Sequence, residues 1–441
     1  MPFSPANLIE TLRGLPAAPR YWVALSGGLD STVLLRALAA NRGSLTGELR
    51  AVHVNHGLYK DAGLWQGHCE RLCADLGVPL VSRSVDVKPG KGESLEAVAR
   101  ERRYQVFRGL MEPGDMLLLA QHADDQLETF LLQALRGAGV RGLAAMPVSA
   151  AFAAGLLVRP MLGWTRAELE AWAREQKLTW IEDPSNADTD LDRNYLRHEI
   201  LPRLKARWPA AATTIGRSAG HAAGAAEMLR ELAVEDWSRS GAGDTLPVAA
   251  LDPLPEPRAR NLVRHWLESR GLPLPPAHKL AELLRQLGAR EDRNPCVDWE
   301  GAEVRRYGGR LYAQRPLPPS PDEFRLLPSV AHDLGEGLGA LKLVPAAGEG
   351  IRAALCGPTG LRITFRSGGE SCRPSGRAHE RPLKKWLQEM RVVPWLRDRL
   401  PLIYSDRELL AVAGLFACEP HAAAPGEAGL RIEWSGHPPL I

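Results

Sequence analysis

Six residues constrain this chain more than any others: Ser26-Gly27-Gly28-Leu29-Asp30-Ser31, set between an apolar run and a helical one. Tyr21 to Leu25 reads as a buried strand and Thr32 to Leu38 as the opening of a helix. A glycine pair at such a junction lets the backbone adopt conformations closed to other residues and approach a ligand closely. Amide groups there and at the helix N-terminus face negative charge, and Ser26 and Ser31 can bond phosphate oxygens. Asp30 sharpens the reading. A carboxylate beside a phosphate is repulsive unless a cation lies between them, and Mg²⁺ takes one or two carboxylates together with phosphates. The loop therefore predicts a magnesium nucleotide. It is not a Walker A loop, because no Gly-Lys-Ser/Thr follows at the required spacing. It is not the dinucleotide fingerprint, because the third glycine is missing. The plain alternative is a Gly-Gly turn with an aspartate helix cap.

The first half alternates strand and helix signals. Leu49 to Asn55, Pro79 to Val87 and Met116 to Ala120 read as further strands. Trp65 to Leu76, Ser94 to Met111 (opened by Glu93) and Asp125 to Leu135 read as helices. This alternation predicts a doubly wound parallel sheet, an α/β fold. Ligands in such sheets bind beyond the carboxyl ends of the strands. Three strand ends turn polar there: the phosphate loop, His53-Val54-Asn55-His56-Gly57, and Gln121-His122-Ala123-Asp124-Asp125-Gln126. His53 and Asn55 are thus candidates for the nucleotide.

At 441 residues the chain is too long for one ordinary core. Beyond Met161 the pattern changes, with a helix from Trp164 to Gln176 and a turn-rich stretch, Trp180 to Asn186. Ala210 to Trp237, Arg258 to Arg270 and Ala277 to Leu287 read as helices, and Val304 to Ala313 as a hairpin turning at Gly308-Gly309. Prolines between Arg315 and Pro321 form a semi-rigid spacer. We expect an ATP-binding catalytic domain over residues 1–210, a mostly helical domain over 211–320 and a small basic α+β domain over 321–441. The last carries Arg373, Arg377, Arg381, Lys384, Lys385, Arg391, Arg397 and Arg399, interleaved with Trp386 and Trp395. Cations with aromatics suit phosphate contacts and base stacking; the alternative is a solvated helix face.

The charge of +3 does not by itself make a nucleic-acid binder. No apolar run reaches membrane-spanning length, and residues 1–20 lack a secretory pattern, so the chain reads as cytoplasmic. Six cysteines make no disulfide framework. Cys69 and Cys73 fit a core stripe with Leu72 and Leu76; a metal site with His53 or His68 is the less favoured reading.

Asp124, Asp125 and Glu128 crowd one helix start, where carboxylates repel unless a cation is near. Mg²⁺ shared by Asp30 and Asp125 is one candidate, a substrate amine the other. One of Asp124 and Asp125 could simply cap the helix. His122 stays open between general base and polar strand end.

The phosphate loop resembles that of the N-type ATP pyrophosphatases, whose reaction adenylates a substrate and releases pyrophosphate. More of the chain is similar to the family of bacterial tRNA(Ile)-lysidine synthetases in the long form. The matching segments are Ser26–Ser31, His53–Leu58, Glu96–Arg100 with Arg103-Tyr104, His122–Thr129, Arg136–Gly139, Arg159-Pro160, Glu182–Asn186, and Arg193-Asn194 with Arg197. Gly368–Glu370, Leu383–Lys385 and Pro394–Arg397 complete them. The resemblance implies ATP and Mg²⁺, L-lysine, and the tRNA(Ile) bearing a CAU anticodon. O2 of the wobble cytidine would be adenylated, and the lysine ε-amine would then attack C2 and expel AMP. It implies a nucleotide site of Ser26, Gly27, Gly28, Leu29, Asp30, Ser31, His53 and Asn55. Catalytic roles would fall to Asp30, Asp124, Asp125, Glu128 and Arg193. Arg193 would meet the α-phosphate or the activated base, or else pair with Asp183 or Asp192. RNA contacts would fall to Arg373, Arg377, Lys384, Lys385 and Arg397. The oligomeric state is left open, a homodimer included. A tRNA cytidine thiolase would need closely spaced cysteines, and no Cys-x-x-Cys occurs. An aminating synthetase would need a glutamine-hydrolysing cysteine partner. A silent RNA-binding protein would not need Asp30 and the acidic cluster.

Overall fold

The computed structural model describes residues 2–57, 62–90, 94–183, 188–241, 243–287 and 295–441. Leu58, Glu93 and Pro184-Ser185-Asn186, singled out above, lie outside them. The chain divides into two compact units, residues 1–228 and 229–441.

In the first unit the elements are α1 (Pro5–Arg13), β1 (Arg20–Ala24), α2 (Leu29–Ala40), β2 (Glu48–Asn55), α3 (Ala62–Leu76), β3 (Leu80–Ser84), α4 (Leu95–Leu110), β4 (Met116–Leu118) and α5 (Ala123–Leu135). There follow α6 (Val140–Leu143), β5 (Ser149–Phe152), β6 (Gly155–Val158), α7 (Arg166–Glu175), α8 (Asp192–Tyr195), a π-helical turn at Leu196–Ile200, α9 (Leu201–Arg207) and α10 (Ala211–Arg239), whose residues from 229 on belong to the second unit. The six strands run in the order β3-β2-β1-β4-β6-β5. All neighbours are parallel except the β5–β6 hairpin. The expected doubly wound sheet is present; the hairpin and α1 were not anticipated, being too short for periodicity to register.

The order reverses between β1 and β4, so the crevice at a switch point lies beyond their carboxyl ends. One face of the sheet packs Val23, Leu34, Leu35, Leu38 and Leu118 with the helices around α2. The other packs Trp22, Val52, Leu117 and Leu157 against Phe107 and Tyr104 of α4. A smaller cluster of Ala123, Leu127, Leu201, Ala211 and Ala212 fastens α9 and the start of α10 onto α5.

The second unit has two cores. One surrounds fully buried Trp266, between α11 (Glu256–Ser269), α12 (Ala277–Gln286) and a four-stranded antiparallel sheet. Its hairpin Ala302–Tyr307/Arg310–Gln314 turns at Gly308-Gly309, both with positive φ, as the sequence predicts. The other core lies among antiparallel sheets after Phe324 and includes Trp386 and Trp395.

At the end of the sheet away from the crevice, Asp115 is fully buried. It accepts hydrogen bonds from Arg20 Nε (2.8 Å), Trp22 Nε1 (3.1 Å) and the Glu112 amide (3.0 Å). Removing it strands the buried Trp22 donor and leaves the Arg20 guanidinium with Glu112 alone. Asp115→Ala should cost about 3 kcal/mol in chemical unfolding of the first unit, with ATP affinity of the folded fraction unchanged.

Candidate active site

The phosphate loop links β1 to α2, as its sequence requires. Gly27 has φ +84°, and a Cβ there would lie 3.1 Å from Cys69 Sγ and 3.5 Å from Ile181 Cδ1. Only glycine satisfies both the conformation and the space. The Gly27 carbonyl accepts from the Ile181 amide (2.9 Å), which ties the stretch before Glu182 to the loop. The serines brace the loop internally. The Ser26 amide donates to Ser31 Oγ (3.2 Å), Ser31 Oγ to the Gly28 carbonyl (3.1 Å), and the Gly28 amide to Ser26 Oγ (3.3 Å). Behind the loop, His53 is buried with Nδ1 2.9 Å from the Leu25 carbonyl. Burial lowers its pKa against the opposing pull of that carbonyl and Glu70. Asn55 Oδ1 accepts from the Gly57 amide at 2.9 Å, closing the turn after β2.

Asp30 sits in the first turn of α2. Its Oδ1 is buried with no hydrogen-bond partner. Its Oδ2 lies 3.6 Å from His122 Nε2. Burial pushes the Asp30 carboxyl up, but His122, with Arg166 and Arg197 further out, outweighs this and holds it below the ordinary value. His122 is the N-cap of α5. Its Nδ1 accepts from the Asp125 amide (3.4 Å), and Asp125 Oδ2 accepts from the His122 amide (3.0 Å). With Nδ1 accepting, Nε2 carries the proton and faces Asp125 Oδ2 (3.4 Å) and Asp30. Burial disfavours the imidazolium, yet Asp125, Asp30 and Asp124 outweigh it and raise the pKa of His122.

The three carboxylates of α5 are buried, and each has a cation that chain topology supplies. Asp124 accepts from the Arg166 amide (2.7 Å), at the start of α7, and pairs with Lys205 Nζ. Asp125 Oδ1 accepts from Arg193 and Arg197, both at 3.1 Å. Glu128, 1% exposed, accepts from Arg193 Nε (2.8 Å), Arg197 Nε (2.7 Å) and Arg197 NH2 (2.9 Å). Arg193 is therefore held by Asp125 and Glu128 of α5. Sequence reasoning gave no role to Arg197 or Lys205. Their four-residue spacing from Arg193 and Leu201 was the available signal, because it places each on the face of its turn that meets α5.

The basic C-terminal residues fall into two groups. In the helix Leu383–Glu389, Leu383, Trp386 and Leu387 are buried and Lys384 and Lys385 exposed. The i, i+3, i+4 spacing puts the tryptophan in the core, where its Nε1 donates to the Cys372 carbonyl (3.0 Å). Trp395 is likewise 9% exposed. The expected stacking surface of Trp386 and Trp395 is thus absent, because their rings fill the core. Arg377 covers the Trp386 ring at 5.3 Å and pairs with Glu389. Arg397 donates to the Val392 carbonyl (2.9 Å) and bonds Tyr307 Oη (3.2 Å). Arg373 is half-buried.

A strand–glycine loop–helix at a switch point, with a carboxylate on the first turn, defines a nucleotide-binding α/β enzyme. The PP-loop domain model matches residues 6–204, which implies ATP as the nucleotide. The TilS substrate binding domain model matches 246–312 and the TilS substrate C-terminal domain model 361–434. The tRNA(Ile)-lysidine synthase of Alkalilimnicola ehrlichii is 44% identical over 430 residues, 96% of each chain. That of Coxiella burnetii is 39% identical over 98% of this chain and 96% of its own. That of Methylococcus capsulatus is 41% identical over 96% of this chain and 98% of its own. The chain belongs to the tRNA(Ile)-lysidine synthase family and is a ligase of that family. Among the described residues no helix is long and apolar enough to cross a membrane.

A raised histidine pKa stabilises the fold below the unfolded value, about 6.5, and the gain is lost as pH rises through the folded value. The stability margin of the native protein over His122→Asn should therefore be largest in mildly acidic buffer. It should shrink on titrating upward, as read by urea unfolding across that range.

Proposed function

We propose that the first unit adenylates O2 of the wobble cytidine of the CAU-anticodon tRNA(Ile) and joins the ε-amine of L-lysine to C2, releasing pyrophosphate and then AMP. One observation carries the assignment of the site: a buried, unpartnered Asp30 Oδ1 on the helix turn that closes the phosphate loop. An orphaned hard oxygen at an anion loop fits Mg²⁺ held jointly with phosphates. Asp30 would hold the ion, with Asp125 as a second ligand once it exchanges an arginine partner. Bound there, Mg²⁺ would offset phosphate charge and favour pyrophosphate departure.

The loop amides and Asp30 set the triphosphate across the sheet's crest, leaving the α-phosphorus open to the base oxygen. Arg193 is the more exposed of the two arginines on Glu128 (34% against 23%), and Arg197 shares both of its acceptors. Arg193 can therefore turn towards the α-phosphate while Arg197 still compensates Glu128. Its departure opens Asp125 and Glu128 to the lysine ammonium. A carboxylate there can take the proton that must leave before the amine attacks. Asp124, held by Lys205 and Arg166, keeps α5 and α7 in register beneath the site. We further propose that residues 211–320 and 321–441 act as separate tRNA-positioning domains, with exposed Lys384 and Lys385 on the RNA backbone.

Incubation with Mg-ATP, labelled lysine and an unmodified CAU-anticodon tRNA(Ile) transcript should move label onto the RNA; label that stays off the RNA rejects the reading. Asp30→Ala should reduce AMP formation at least ~100-fold, the scale for losing one transition-state charge contact, with the unfolding midpoint preserved. Reversing the charge of Lys384 and Lys385 together should raise the tRNA KM and reduce the slope of log K against log salt by about 2. A KM equal to the native value would remove both lysines from the interface.

A further inference from the structure

Each carboxylate of α5 has a cation; Arg103 and Arg159, among the described residues, have no hydrogen-bonded carboxylate. Arg100, Arg103 and Tyr104 lie on α4, His56 follows β2, and Arg159 follows β6. Arg159 is 9% exposed, yet its Nε is buried with no hydrogen-bond partner. Its NH1 donates to the Pro147 carbonyl (2.9 Å), and Tyr104 and Arg100 are among the groups that act on its guanidinium. Arg100 lies over the Tyr104 ring at 5.1 Å with NH2 3.5 Å from the Tyr104 hydroxyl. Arg103 is half-buried and its Nε too is buried without a partner. Beside it, His56 Nδ1 is a third buried orphan. Burial, then Arg103 and His53, bring His56 down to about 4, so it stays neutral and adds no charge. Among the described residues, neither Arg103 nor Arg159 has a carboxylate as a hydrogen-bonding partner, and burial lowers the pKa of both guanidinium groups.

An arginine taken out of water without an anion costs several kcal/mol, and guanidinium groups bind phosphate in a planar, forked geometry. Arg103 and Arg159 share Tyr104 and Arg100 as neighbours, so an oxyanion there would meet more than one guanidinium. We propose that Arg103 and Arg159, with Arg100 and Tyr104, form a second anion subsite that binds a phosphate oxyanion apart from the glycine loop. It rests on the reading of the site as one that brings a nucleotide and an RNA strand together. Exposed Arg100 and half-buried Arg103 meet the oxyanion. Arg159 backs them through Tyr104 and fixes their direction. The oxyanion comes either from the nucleotide or from the RNA backbone beside the target base.

The test is binding by the full chain of two probes taken separately: Mg-ATP without RNA, and the unmodified tRNA transcript without ATP. Arg103→Met and Arg159→Met should each weaken at least one probe tenfold or more. The ligand-free thermal midpoint should hold or rise, because each change removes a guanidinium that has no hydrogen-bonded carboxylate and, for Arg103, only Glu96 acting on it at longer range. Arg103→Lys should recover part of the lost affinity. Weakening confined to Mg-ATP assigns the oxyanion to the nucleotide; weakening confined to the transcript assigns it to the RNA. Native affinity for both probes overturns the subsite. So does a loss that tracks a lowered midpoint and is not restored by lysine. Native protein that binds both probes but transfers no lysine would overturn the activity reading and leave the subsite standing.

Discussion

The active-site architecture depends on the need of Glu128 for cations. A carboxylate 1% exposed on the first turns of α5 is costly to bury unless cations lie beside it. Arg193 and Arg197 provide it from a segment some 65 residues further along. The contact fixes α8 and the π-helical turn against α5, and the apolar cluster of Leu127, Leu201 and Ala212 continues it. A π-turn between α8 and α9 shifts the helix phase at Leu196–Ile200, so Arg193, Arg197 and Lys205 all reach α5. The lattice is both a scaffold and a store of exchangeable charge. Two arginines share the same acceptors, so one can leave without stranding a carboxylate.

On the nucleotide side the balance is different. His122 caps α5 while its other nitrogen faces Asp30 and Asp125. The cap fixes the neutral ring, and the carboxylates raise its pKa against burial. Asp30 is held ionised by that histidine yet keeps one oxygen unpartnered. An ionised carboxylate with a free buried oxygen beside an anion loop is stable only when a cation joins it. The residues present fit the magnesium nucleotide proposed above.

Much of this was legible in the chain. The phosphate loop has its signal in consecutive residues: an apolar strand, two glycines, a carboxylate and a helix. The doubly wound sheet follows from alternating periods of two and 3.6, and Asp124, Asp125 and Glu128 share one helix start. The basic C-terminal stretch was harder. Its composition suggested cations among aromatics, but the spacing of Leu383, Trp386 and Leu387 sends the tryptophan inward and leaves Lys384 and Lys385 outside. Composition reports which groups are near in sequence; periodicity decides which of them meet solvent.

The sequence by itself determined the local chemistry: where a phosphate can be cradled, which strand ends turn polar, and which family the reaction belongs to. Those properties reside in backbone conformations and helical spacing within a few residues. Only the tertiary structure decided which charges are neutralised and which are left wanting. Arg193 and Arg197 are satisfied by α5, whereas among the described residues Arg103 and Arg159 have no carboxylate as a hydrogen-bonding partner. Nothing in the residue types separates these pairs. Charge compensation is a matter of distance and burial between segments remote in the chain, and those are set only when the sheet and its helices close.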